Sequence, residues 1–290
     1  MRPFNYQRLE SAAALVRDAP AGHDESFIAG GTTLLDLMKL DVMRPRRLID
    51  INALSQSLEF GGIHAGERGL RLGALVRMSE AADHTEVRQH YPVISQSLHE
   101  AASQQLRNMA SLGGNVLQRT RCPYFRDTSW SHCNKREPDS GCAALEGYNR
   151  MHAVLGVSER CIASYPGDFA QALLALDAHV HIVRSGVVRA MPFSRLHTPP
   201  GATPHIETTL APGDLLQAFF IPAGAWTRRS TFVKVRDRQS YEFALASAAV
   251  ALELDGASVR QARIALGGVA TVPWRARDAE ERLRGHELTE

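Results

Sequence analysis

Ser26-Phe-Ile-Ala-Gly-Gly-Thr-Thr-Leu-Leu-Asp36 is an apolar run that meets a pair of glycines and then takes up helical spacing. Ser26–Ala29 reads as a buried strand and Gly30-Gly31 as the turn. Leu34–Leu40 reads as a helix capped by Thr32 or Thr33. Arg47-Leu-Ile-Asp-Ile51 supplies a second strand, so the unit is βαβ-like. Glycines at such a turn let the backbone approach a ligand, and the free N–H groups at a helix start favour phosphate. The same residues also suit a plain βα turn with a threonine cap, and spacing alone does not choose between the two. The chain has no G-x-G-x-x-G and no G-x-x-x-x-G-K-[ST], which disfavours a Rossmann dinucleotide site and a P-loop.

Moving outward, Leu106-Arg-Asn-Met-Ala-Ser-Leu-Gly-Gly-Asn115 reads as a second polar loop ending in glycine, with a hydroxyl and two asparagines. Two loops of this chemistry suit one pyrophosphate gripped from both sides. Between and around them, Phe4–Leu9, Leu58–Phe60 and Leu70–Leu75 read as strands. Ser11–Asp18 (capped by Ser11), Ser79–Val87, Val93–Ser103 and Phe169–Ala178 read as helices, and regular pattern resumes at His152–Val157. After about residue 180 the pattern turns β-like: His179–Arg184, Val187–Met191, Leu215–Ile221, Ser230–Val235, Phe243–Leu254 and Val259–Leu266, then a helix at Arg275–Leu283. The expected class is α+β, with a domain boundary near 178–180 and a mainly antiparallel second domain, 179–290.

The chain has 290 residues, 44% hydrophobic and 22% charged, with a net charge of +2. That is enough for two cores and gives no broad basic footprint for nucleic acid. No apolar run is long enough to span a bilayer, and the N-terminus lacks the apolar core of a secretory signal, so the residues alone imply a cytoplasmic protein. H-E-x-x-H and G-x-S-x-G are absent, which removes one metalloprotease and one hydrolase reading.

Cys122, Cys133, Cys142 and Cys161 are the only cysteines, all within 40 residues, with 10, 8 and 18 residues between them. The segment from Gln118 to Arg150 has no apolar periodicity, and so long an irregular stretch needs something to tie it down. Two disulfides, a four-cysteine zinc site and a [4Fe–4S] cluster all remain open on chemistry alone. Arg119, Arg121, Arg126, Lys135 and Arg136 lie close in sequence, where they would offset the charge of an anionic cluster.

The two glycine loops resemble those of the FAD-binding subunits of the molybdenum hydroxylase (xanthine dehydrogenase and carbon monoxide dehydrogenase) family. There the first loop reads A-G-G-[TH]-x-L and the second R-N-x-x-T-x-G-G-N. The likeness continues through Ser164-Tyr-Pro-Gly-Asp168, Pro212-Gly-Asp-Leu-Leu216 and Lys234-Val-Arg-Asp-Arg238. Ser111 stands where threonine is usual, and the arginines after Lys234 are offset from the family's K-x-x-R. The resemblance implies a two-subdomain FAD-binding unit of the vanillyl-alcohol-oxidase (PCMH) type, over 1–178, followed by a smaller α+β domain. It also implies a helical tail beyond Gly285 that this sequence stops short of.

By the same resemblance, FAD contacts fall on Phe27, Ile28, Ala29, Gly30, Gly31, Thr32, Thr33 and Leu34; on Asn108, Ser111, Gly114, Asn115 and Leu117; and on Asp168, Leu216 and Lys234. No residue is assigned a catalytic role. The cysteine segment, an insertion at about 118–161, resembles that of the flavin subunit of bacterial periplasmic aldehyde oxidoreductases. That likeness implies a [4Fe–4S] cluster on Cys122, Cys133, Cys142 and Cys161. It further implies a molybdenum-cofactor large subunit, a small subunit with two [2Fe–2S] clusters, an external electron acceptor, and periplasmic export with a signal-bearing partner. A xanthine or N-heterocycle dehydrogenase is the alternative. A stand-alone flavoprotein oxidase would need a catalytic base, and the sequence offers no candidate.

Overall fold

The computed structural model describes residues 1–288. Its first layer is a three-stranded parallel sheet of β1 (Asn5–Arg8), β2 (Glu25–Ile28) and β3 (Arg47–Asp50), in the order β1-β3-β2. Helices α1 (Leu15–Asp18) and α2 (Leu34–Lys39) provide the crossovers. Leu9, Leu15, Ile49, Ile51, Leu54 and Phe60 form the small core of this layer. Thr33 holds the N-cap position of α2 and Ser11 precedes the short turn leading into α1, but neither side chain makes a capping hydrogen bond.

The second layer is a five-stranded antiparallel sheet in the order β4-β5-β8-β6-β7. It contains β4 (Ile63–Gly66), β5 (Gly69–Gly73), β6 (His179–Arg184), β7 (Val187–Pro192) and β8 (Leu215–Pro222). Leu58–Phe60, expected as a strand, is instead helix α3 (Leu58–Gly61). Three residues cannot separate a period of 2 from one of 3.6, and Gly61 lets the chain fold back so closely that a Cβ there would lie 1.8 Å from the Ser55 carbonyl oxygen. The helical stretch before the second loop is α4 (Met78–Asp83), α5 (Thr85–His90) and α6 (Pro92–His99). The expected polar loop at 106–115 is two short helices, α7 (Gln104–Met109) and α8 (Leu112–Val116). They are capped by Ser103, which accepts from the Leu106 N–H, and by Ser111, which accepts from the Gly114 N–H. The Gly113-Gly114 pair looks like a loop in sequence, yet Gly113 serves packing, since a Cβ would sit 3.1 Å from the Ala74 Cβ.

The cysteine segment carries one helical turn, α9 (Pro123–Arg126), and is otherwise irregular. His152–Val157 forms no strand among the described residues; an isolated bridge joins Leu155 to Ala270. Helix α10 (Phe169–Ala175) is buried on every side, as its apolar all-round sequence requires. It packs against α6 and the last sheet, while Phe169 meets Phe219 of β8 edge to face at 5.7 Å.

That last sheet, antiparallel in the order β12-β11-β10-β9, contains β9 (Ser230–Val235), β10 (Ala246–Asp255), β11 (Ser258–Gly267) and β12 (Trp274–Arg275), with α11 (Arg277–Leu283) on it. The boundary expected at 178–180 is corrected by these pairings. Strand β8 hydrogen-bonds with β5 in the first unit, β6 and β7 follow it in the same sheet, and the chain changes sheet between Pro222 and Ser230. A run of strands in sequence does not say which sheet each joins.

Asp214 fixes the start of β8 to the β6–β7 hairpin. Its carboxylate has no exposed surface and accepts from Arg184 Nε and Arg189 Nη2, each at 2.7 Å, and from the Ala211 N–H at 3.0 Å. Burial opposes its charge, but these donors outweigh burial and hold the carboxyl below its ordinary range. Its contribution is therefore present above the unfolded value and lost as pH falls through the folded one. Asp214→Ala is expected to lower the unfolding free energy at neutral pH by about 1.5–3 kcal/mol, the worth of hydrogen bonds to a charge. In urea titrations the gap from the parent protein should close as pH falls below about 4.

Candidate functional site

The two glycine loops meet. A Cβ on Gly30 would lie 2.0 Å from the Met109 carbonyl oxygen, so only glycine lets the loops touch. Gly31 follows with φ +72°, a left-handed conformation that favours glycine. A hydrogen-bonded chain holds the contact. Asn52 Nδ2 donates to the Ala29 carbonyl at 3.0 Å, Arg77 Nη2 donates to Asn52 Oδ1 at 3.0 Å, and Arg77 Nη1 donates to the Met109 carbonyl at 2.6 Å. Asp50 orients Asn52 by accepting from its backbone and side-chain N–H groups, both at 2.7 Å, and Tyr6 donates to the other Asp50 oxygen.

Beside this contact lies an open cleft of about 450 Å³. Phe27, Ile28, Ala29, Gly30, Gly31, Thr32, Thr33 and Leu34 line it from the first loop, Ser111, Gly114 and Leu117 from the second, and Leu216 from β8. The backbone N–H groups of Thr32, Thr33 and Leu34 donate to no backbone carbonyl among the described residues. Donors of that kind suit the oxygens of a pyrophosphate, and the apolar walls suit a flat ring. The residues present therefore fit a flavin dinucleotide. The cleft also takes in His23, Arg119 and Leu210–Leu215, which were not among the expected contacts. Pro212-Gly-Asp-Leu-Leu216 is legible in sequence as a motif, but nothing in the pattern shows that the whole turn faces the cleft.

Four expected contacts do not line the cleft. Asn108 is exposed and accepts from Gln104, while Asn115 is half-buried with its Oδ1 unpartnered. Asp168 and Lys234 are buried against each other instead, with Nζ 2.7 Å from Oδ2, and Lys234 also donates to the Glu100 carbonyl at 3.0 Å. Burial pushes the Asp168 carboxyl up to about 6, with Lys234 opposing. The pair fastens β9 to α6 and to the start of α10, which is work enough to explain a buried lysine.

Cys122, Cys133, Cys142 and Cys161 all line one small cavity with room for about one water molecule, and all four are free thiols. Cys133 and Cys142 face each other in an isolated antiparallel bridge. Burial pushes the Cys122 thiol up to about 12 and raises that of Cys161. Among the described residues, no group of three or more His, Cys, Asp or Glu stands in the geometry of a metal ion's ligands. The donor set, four convergent unpaired thiols, is nevertheless the chemistry an iron–sulfur cluster takes. The cations expected to offset a cluster's charge brace the insertion. Arg119 and Lys135 each contact Glu207 at 2.7 Å, and Arg126 grips Asp36 of α2 at 2.7 and 3.1 Å. Arg136 donates to the Tyr124 and Phe125 carbonyls, and Arg121 lies over the Phe243 ring.

Residues 2–224 match the family described as FAD binding domain in molybdopterin dehydrogenase, and residues 231–290 match the CO dehydrogenase flavoprotein C-terminal domain. The chain belongs to the FAD-binding subunits of the molybdenum hydroxylase family. It is 49% identical to the aldehyde oxidoreductase FAD-binding subunit PaoB of Escherichia coli, over 98% of this chain and 86% of that one. It is 24% identical to a xanthine dehydrogenase FAD-binding subunit of Escherichia coli O157:H7, over 97% and 78% of the two chains. Quinoline 2-oxidoreductase from Pseudomonas putida 86 shares the fold with a TM-score of 0.73 at 23% identity, over 99% of this chain and 82% of that one. The family's FAD domain thus ends within two residues of Pro222, where β8 ends.

Gly30→Ala is expected to weaken FAD binding by more than about tenfold, or 1.4 kcal/mol, by forcing the loops apart. Gly66→Ala, where a Cβ meets nothing within 4 Å, should leave it unchanged; flavin fluorescence titration of the refolded apoprotein reads both. Asn52→Ala and Arg77→Ala should each weaken FAD binding, and the double variant should lose less than the sum of the two, because both cut one chain of hydrogen bonds.

Proposed function

We propose that this chain is the FAD- and [4Fe–4S]-carrying electron-transfer subunit of a heteromeric molybdenum-cofactor aldehyde oxidoreductase. Its role is to take electrons from the [2Fe–2S] clusters of a small partner subunit and pass them to an external acceptor, while aldehyde oxidation occurs on the molybdenum subunit. The observation that carries this reading is the 49% identity, along nearly the whole chain, to an aldehyde oxidoreductase FAD-binding subunit. Export to the periplasm with a signal-bearing partner belongs to the same reading and rests on the resemblance of the cysteine segment.

Bound FAD supplies redox chemistry in steps of one or two electrons. This chain's own residues do the rest. Gly30 and Gly31 would let a pyrophosphate reach the backbone N–H groups of Thr32 to Leu34, and Asn52 with Arg77 keeps the second loop against the first. Phe27, Leu75, Leu215 and Leu216 give the cleft apolar walls. The thiols of Cys122, Cys133, Cys142 and Cys161 would hold the cluster, one on each iron. Their support is convergence on one cavity without a disulfide among them.

The complex purified anaerobically should turn over aromatic or aliphatic aldehydes, and this chain alone should not. Elemental analysis of the chain should give about four iron atoms with FAD. Ser in place of Cys122 or Cys142 should lower iron and leave flavin. Zinc without iron would overturn the cluster, and turnover of N-heterocycles but not aldehydes would overturn the substrate class.

A further inference from the structure

His152 stands beside one cysteine of the four. Its Nε2 lies 3.2 Å from Cys122 Sγ, while its Nδ1 is buried without a partner. The His152 backbone N–H donates to the Asn149 carbonyl at 2.9 Å, and the Tyr124 ring lies 6.1 Å away, centroid to centroid. The other sulfurs are served differently. Cys161 Sγ receives the Ala163 backbone N–H at 3.5 Å, and no side-chain donor reaches Cys133 or Cys142 among the described residues. Cys122 also borders a second cavity, of about 220 Å³, which His152 lines with it, while Cys161 borders a different one.

A ligating cysteine is a thiolate and therefore only an acceptor. A neutral imidazole has one proton for two nitrogens. On Nδ1 that proton would be a buried donor without an acceptor, and the Nε2 lone pair would face the negative sulfur. On Nε2 it makes the one hydrogen bond within reach. We propose that His152 donates this Nε2–H to the Cys122 thiolate in the cluster-loaded protein and thereby raises the cluster's reduction potential. The inference rests on the [4Fe–4S] reading above. An N–H···S bond draws charge from the sulfur and favours the more negative, reduced cluster, as hydrogen bonds to cluster sulfurs do generally. His152 is thus a positioning residue acting through Cys122.

The test uses the full-length chain, reconstituted anaerobically with iron and sulfide. Iron analysis of the parent protein comes first, and absence of iron there overturns the cluster reading itself. In iron-loaded His152→Ala, EPR-monitored potentiometry should give a lower potential than in the parent, with FAD content unchanged. His152→Gln, which keeps an N–H donor, should recover part of the shift. Equal potentials in parent and His152→Ala would overturn the proposal. Should His152→Ala fail to hold iron, the parent protein decides. Pulsed EPR of the reduced cluster with ¹⁵N-histidine should show a nitrogen coupling weaker than that of a direct ligand. No histidine coupling, or one of ligand strength, would equally overturn it.

Discussion

The site depends on a contact that tolerates no side chain. Gly30 lies against the Met109 carbonyl, and the space between them would not hold a methyl group. Everything around this point exists to keep two backbone segments at that distance. Asn52 and Arg77 reach across from β3 and α4 to grip one carbonyl on each loop, and Asp50 and Tyr6 orient Asn52 in turn. Loop backbone rarely holds a ligand well unless a rigid scaffold positions it. Here the scaffold is the parallel sheet on one side, whose β2 runs into the first loop, and the short helices α7 and α8 on the other.

Helix α10 has a matching role in the main core. It is buried all round because it is wedged between α6, the five-stranded sheet's core and the last sheet. The main core runs without a break from Leu70 and Leu72 of β5 to Ala249 and Ala265 of the last sheet. Lys234 and Asp168 close this junction with a buried ion pair, and such a pair is costly to break singly because either partner would be left as an unpaired buried charge. Sequence resemblance put these two residues beside the flavin; their geometry has them brace the last sheet against α6 and α10.

The strand-glycine-helix unit was legible in the sequence because each part is local. An apolar run, a Gly-Gly turn and a helix start sit within eleven residues, and the pattern of one element does not depend on the rest of the chain. The strands after His179 were equally legible one by one. Their sheet membership was not, because β8 pairs with β5 across more than a hundred residues, and no period in the sequence encodes that. The second loop misled for another reason. Its Gly113 serves close packing on Ala74 inside a short capped helix, which has the same composition as an irregular turn. The cysteines were legible as a group because they bunch, but not the fate of the nearby arginines, which answer to Glu207 and Asp36 from distant parts of the chain.

The Arg126–Asp36 pair has a further meaning. Asp36 belongs to α2, whose first turn borders the cleft, and Leu37 beside it packs with Phe125 and Cys133. One helix therefore has the nucleotide loop at its start and the cysteine segment along its flank. At six residues α2 is too short to keep its shape alone, so the helix start that borders the cleft owes part of its fixed position to the insertion packed along its flank.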